Sequence, residues 1–178
     1  TVTGVGSTWT NSSSLVVGNM GGGDLLISNG GAVTSTDAFV GRFDGSGSAT
    51  VTGAGSIWSS SGNLILGGSS LNTPGSGNGS LAISEGAQVI VGGASRVFEG
   101  SNITLFVSGN SMLDISGNFT NSGVVEFVAS GALAAGTYAP LEVGGTWSGG
   151  GTFSAIGGTW DSVNKAFVVA VAEAGNAG

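Results

Sequence analysis

The sequence predicts an all-β fold, a right-handed parallel β-helix of about seven or eight coils, and three observations carry that expectation. The chain repeats itself at a fixed spacing. Its apolar residues fall in runs of three to six, ended by Gly, Ser or Asn. No stretch places apolar residues at helical spacing for long enough to form a helix. A sandwich or barrel gives no reason for a long sequence repeat. A solenoid does, because equivalent positions of successive coils fall above one another.

The repeat opens with TVTGVGSTW at 1–9, which returns as TVTGAGSIW at 50–58, a shift of 49. Across 1–18 and 50–67, ten of eighteen positions are identical, among them Trp9/Trp58, Leu15/Leu64 and Gly18/Gly67. The match resumes at 25–33 against 81–89 with five of nine identical, now at a shift of 56. Seven inserted residues therefore lie between, placed at about 71–77, where Pro74 and Gly75 read as a protruding turn. Weaker copies come later: Ser108-Gly109-Asn110, Ser116-Gly117-Asn118, and two Gly-Gly-Thr-Trp segments ending at Trp147 and Trp160. The organisation is one solenoid domain over 1–178, with repeat 1 at 1–49, repeat 2 at 50–105 and degenerate coils at 106–178.

The strand runs are 15–17, 25–27, 64–66, 81–83, 89–91, 103–107, 112–115 and 124–128. β-Branched and apolar residues fill them and turn formers bound them. Gly reaches positive φ without steric cost and Asn tolerates it, which suits sharp corners between short strands. At about 20–25 residues per coil, 49 residues make two coils and the stack is about 35 Å long at the strand spacing. Leu15, Leu64, Ile27 and Ile83 are expected to form inward ladders. Stacking also accounts for low charge, since like charges repeated on every coil repel.

Composition narrows the function. Of 178 residues, 37 are Gly, and Gly, Ser, Thr and Asn together exceed half. Charged residues are 7%, with three Lys plus Arg, ten Asp plus Glu and a formal charge of −7. With no Cys and no His there is no disulfide framework, no thiolate or imidazole zinc site and no Ser-His or Cys-His nucleophile pair. Three dispersed cations, Arg42, Arg96 and Lys165, cannot neutralise a phosphate backbone, so no nucleic-acid partner is expected. The longest apolar run, 167–172, is far short of a membrane span, so no membrane insertion is expected. No signal segment opens the chain, and an exported form is expected to have lost one already.

The pattern T-V-T-G-x-G-S-x-W, then L-x-x-G, then L-x-I-S-x-G-x-x-V resembles the autotransporter/PEP-CTERM-associated repeat. Residues 1–18 with 25–34, and 50–67 with 81–91, carry the resemblance; the segment from Gly136 to Asp161 is similar to the tail found downstream of such repeats. It implies a bacterial exported protein of the cell surface or extracellular matrix with a β-helical body, and a chain that is a segment of a longer precursor. It is uninformative about activity.

Several residues could carry chemistry, and each also has an ordinary structural role. A lyase-type solenoid site needs carboxylates gathered for Ca²⁺ and a basic residue to take a proton. The acids, from Asp24 and Asp37 through Asp114 and Glu142 to Glu173, are thinly spread. Arg42 with Asp44 and Arg96 with Glu99 are read as exposed, stacked ion pairs rather than catalytic pairs. Gly21, Gly22, Gly23 and Asp24 lack the spacing of a calcium-binding nonapeptide, and 43–47 does not supply an EF-hand loop. Thr1, Thr3, Thr50 and Thr52 give too few rungs for an ice-binding face. Trp9, Trp58, Trp147 and Trp160 are read as packing residues ahead of sugar-stacking ones. No catalytic, cofactor-binding or metal-binding residue is assigned, no cofactor is expected, and the chain is not read as an enzyme.

What remains is structure and self-association. An uncovered coil offers unpaired backbone groups to another chain, and 166–171 is a strongly β-forming, nearly uncharged run suited to such pairing. The expected function is a structural β-solenoid of a bacterial surface or matrix, self-associating through its coil ends into fibres. The alternative is an adhesin or stalk that binds surface glycans.

Overall fold

A computed structural model describes residues 1–108, 110–131 and 133–169. It is an all-β parallel solenoid, with no helix among the described residues. Three strands make each coil. The first coil is β1 (Val2–Thr3), β2 (Thr8–Thr10) and β3 (Leu15–Val17), and the second is β4 (Gly22–Ser28), β5 (Ala32–Ser35) and β6 (Ala38–Val40). The third is β7 (Ser46–Thr52), β8 (Ile57–Ser60) and β9 (Leu64–Leu66), followed by a hairpin of β10 (Gly68–Ser70) and β11 (Thr73–Pro74). The fourth is β12 (Asn78–Ser84), β13 (Gln88–Val91) and β14 (Ser95–Val97); the fifth is β15 (Asn102–Val107), β16 (Met112–Ile115) and β17 (Phe119–Asn121). The sixth runs β18 (Val124–Ala129), an excursion containing β19 (Gly136–Tyr138), then β20 (Leu141–Val143) and β21 (Trp147–Ser148). β22 (Thr152–Ile156) starts a seventh, and β23 (Thr159–Asp161) and β24 (Ala166–Val169) end the described chain.

Three parallel sheets result. The first strands of successive coils form a seven-stranded sheet, and the second and third strands form two six-stranded sheets. In the first sheet Val2, Ile27, Val51, Ile83, Leu105, Phe127 and Ala155 lie in one vertical row. Val2 to Val51 is two coils, so the 49-residue repeat is two coils, as its length predicts. Period-two alternation explains the core: β7, β12 and β15 each bury every second residue. Leu15 and Leu64 share a ladder in the third sheet, Ile27 and Ile83 one in the first, and all four are buried.

The stack holds six complete coils and one further strand, where seven or eight coils were expected. The difference has three sources. The inserted residues form the β10–β11 hairpin, so the step from Val51 to Ile83 is 32 residues where its repeat counterpart, Val2 to Ile27, is 25. The excursion before β20 lengthens the step from Leu113 to Leu141 to 28. Residues 157–169 leave the stack. There β24 pairs antiparallel with β19 on one side and β23 on the other.

One corner explains much of the glycine. Gly62, Gly93, Gly117 and Gly145 lie above one another, and each amide from Gly93 upward donates to the carbonyl of the glycine beneath, at 2.8–3.0 Å. A Cβ on Gly117 would stand 2.6 Å from the carbonyl oxygen of Gly93, so a side chain there would push two coils apart. Side chains at the same corner add further bonds between coils. Asp37 Oδ1 accepts from the Asn63 amide at 2.7 Å, Asn63 Oδ1 from the Ala94 amide at 2.9 Å, and Asn118 Oδ1 from the Thr146 amide at 2.9 Å.

Candidate functional site

The residues singled out from sequence are mostly scattered, although Trp9, Gly22, Gly23 and Asp24 line one cleft of about 270 Å³. Asp24 sits on the outer face of the first sheet in register with Ser48. Asp37 belongs to the corner ladder, and Asp114 and Glu142 are stacked neighbours on the outside of the second sheet. Among the described residues no group of three or more Asp, Glu, His or Cys could hold a metal ion. Glu173 lies outside the described residues. The threonine rows do not form: Thr50 stands between Leu26 and Ala82, and Thr3 and Thr52 have Ser28 between them.

The arginines also depart from expectation. Among the described residues neither Arg42 nor Arg96 is hydrogen-bonded to a carboxylate. The Arg42 guanidinium lies over the rings of Phe39 and Phe43, at 4.5 and 4.7 Å. That of Arg96 lies over Phe98 at 4.4 Å, and its Nη1 donates to the Leu71 carbonyl at 3.0 Å. The cause is strand alternation. Arg96 and Phe98 are two apart and share a face, whereas Glu99 lies beyond on the turn. Nor are the arginines equivalent, since Arg96 is in register with Ile65 and Phe39, and Arg42 lies three residues past Phe39. Phe39, Ile65 and Phe98 form a second, small core outside the third sheet, with Leu71 of the hairpin packed on it. Sequence reading missed this shelf, although Phe43 and Phe98 each stand closer to their arginine in sequence than the acid does.

The tryptophans divide. Trp58 is 1% exposed in the core, while its repeat equivalent Trp9, on the first rung, is 44% exposed. Trp147 is in register with Phe119 in the third sheet, so its Gly-Thr-Trp segment is a copy of Gly117-Asn118-Phe119 and not of the motif around Trp9. Trp160 belongs to the antiparallel sheet. It stacks on Phe127 at 4.4 Å with the planes 8° apart, and on Phe153 at 5.4 Å.

The two ends are therefore unlike. β1, β2 and β3 at the first rung, like β22, β20 and β21 at the other end, have a neighbour within their sheet on one side only. At the other end the antiparallel sheet packs on the core, with Phe167 fully buried against Phe127. The run expected to pair with another chain is, over 166–169, the central strand of that sheet, and Ala170 and Val171 lie outside the described residues. Asp161 fastens the β23–β24 turn. Its carboxylate accepts from the Asn164 amide at 3.0 Å and the Val163 amide at 2.9 Å through Oδ1, and from the Asn164 side chain at 2.7 Å through Oδ2. Those bonds, the Asn164 amide foremost, hold its pKa below the ordinary 3.8.

Two surface clefts complete the site. One of about 480 Å³ lies along the corner between Gly55, Gln88, Ser111 and Met112 and has no titratable side chain in its lining. The other, of about 460 Å³, opens beside the hairpin between Pro74, Gly75, Arg96, Phe98, Glu99 and Ser122. Comparison with known protein families, known proteins and solved structures finds no match to this chain.

Proposed function

We propose that this chain is a structural, non-catalytic β-solenoid module of an exported bacterial protein, working at the cell surface or in the extracellular matrix. The observation that carries the reading is the vertical packing of three parallel sheets, which makes a body whose length grows coil by coil. Ladders of Leu, Ile, Val and Phe fill its interior, and Ser, Thr, Asn and Gly dominate its outside. Such a body supplies reach and stiffness without chemistry. The likeness of the repeat to autotransporter/PEP-CTERM-associated sequences supports the exported setting.

Self-association in this reading runs through the coil ends, where the outermost strand of each of the three sheets has a neighbour on one side only. Negative-stain microscopy of the purified chain, with sedimentation across a concentration series, tests this. Short rods that pair through their ends support the reading. Compact particles without a rod profile, or turnover of a polysaccharide substrate, would sink it.

A further inference from the structure

We infer that the cleft between the β10–β11 hairpin and the third sheet binds the carboxylate of an acidic saccharide, with Arg96 as the anion-binding residue. This goes beyond the structural reading and does not depend on it.

The first argument is charge placement. Two of the three cations in a chain of formal charge −7 lie on one face, the outside of the third sheet. Guanidinium is the side chain best matched to a carboxylate, through two parallel N–H···O bonds. Here Arg96 has Glu99 three residues away, yet its Nη1 bonds a backbone carbonyl, and with its Nε buried it is the Nη edge of the guanidinium that a ligand would meet. The ring of Phe98 and the Leu71 carbonyl fix the group in place, so little side-chain freedom remains to be lost on binding.

The second argument is the shape and chemistry of the cleft. About 460 Å³ is room for a small ligand. Its lining combines the aromatic Phe98 and the apolar Pro74 with Ser122, Gly75 and Gly100. A sugar ring offers a C–H face to the apolar surfaces and hydroxyls to the polar ones. Glu99 at the same cleft selects among anions, since a carboxylate beside a single guanidinium repels a dianionic phosphate more than a monoanionic sugar acid. The site is also an addition to the repeat: the hairpin that walls it is the insertion that separates the 49- and 56-residue shifts, and the first repeat has no counterpart.

The test is calorimetric titration of the intact chain with a galacturonate trisaccharide, its methyl ester and the uncharged galactose trisaccharide. The acid should bind, with the ester and the neutral sugar weaker by at least about tenfold, the value of one charge-assisted hydrogen bond. Arg96→Gln should weaken the acid by a similar factor, Arg96→Lys by less, and Arg42→Gln, across the hairpin, by less than about twofold. Amide shifts on titration should centre on Gly75, Phe98 and Ser122. The comparison of acid with ester uses only the native chain, so it decides the matter even if the Arg96 variants misfold. No binding of the acid, equal binding of acid and ester, or shifts centred elsewhere would overturn the assignment.

Discussion

Trp9 and Trp58 are the same letter in the same nine-residue motif, yet their energetics differ because of what lies beneath them. Trp58 has Val33 below and Val89 above, and Trp9 has only Val33 above. Truncation of a fully buried tryptophan removes a large apolar area and leaves a cavity, so Trp58→Ala should cost about 3–5 kcal/mol and Trp9→Ala about 1 kcal/mol. Denaturant unfolding of the two variants measures the gap, and equal losses would contradict the stacking order. The sequence showed that the two tryptophans are equivalent and could not show that one lacks a lower neighbour. Asp161 makes a different residue-scale prediction. Its folded pKa is depressed, so its contribution is present above the unfolded value near 3.8 and is lost as pH falls through the folded value. Asp161→Asn should loosen the β23–β24 turn at neutral pH and erase that acid-side loss. Near-ultraviolet circular dichroism of the aromatic end, monitored from about pH 7 downward, reads both effects. Parallel acid profiles for the two proteins would show that the turn does not rest on this carboxylate.

At the scale of the element, the corner between the second and third sheets shows how composition becomes architecture. The Ser-Gly-Asn signature at 61–63 and 116–118 is visible in the sequence, but its reason is visible only in register. Each glycine lies on the glycine of the coil below, and each Asp or Asn caps an amide of the coil above. Gly117→Ala should therefore destabilise the chain by about 2 kcal/mol or more, because the obstructing atom is the Gly93 carbonyl, a backbone group with nowhere to move. Asn63→Ala should cost about 1–3 kcal/mol by leaving the Ala94 amide without its partner. An Ala at exposed Gly6, where no atom lies within 4 Å of the added Cβ, serves as control, although its positive φ carries a smaller penalty. Thermal melts rank the three; a Gly117→Ala variant as stable as the native chain would refute the stacked-glycine account. The hairpin was legible as an insertion of the right length at nearly the right place, since a shift from 49 to 56 residues is a direct count. Its packing against Phe39, Ile65 and Phe98 was not, because these residues are brought together from three coils.

Across the whole molecule, the repeat specifies the stack and leaves the aromatic end unspecified. Coil length and ladder register come from recurrence, since a repeat of 49 residues admits one natural division into two coils. The cap has no such recurrence. Its strands are antiparallel, its residues occur once, and Trp160 and Phe167 find Phe127 only after six coils have been laid down. This asymmetry predicts a gradient of stability. In a solenoid each coil is held by its neighbours, so a coil with one neighbour opens more readily than one with two. The first rung pairs only with the second, through short strands of two or three residues, and keeps one set of backbone groups turned to solvent. The sixth coil is held by the fifth, through the edge contact of Phe119 with Trp147 among others, and by the clustered rings of Phe127, Trp147, Phe153 and Trp160, each aromatic pair adding about 0.5–1.5 kcal/mol. Hydrogen exchange should therefore be fastest in β1–β3, slowest in the sheets of the third to fifth coils, and intermediate at the capped end. Replacing Phe167 with Ala should bring the capped end down to the level of the first rung while the middle coils keep their protection. A chain that opens uniformly, or whose capped end exchanges fastest before any substitution, would show that the aromatic sheet does not close the stack.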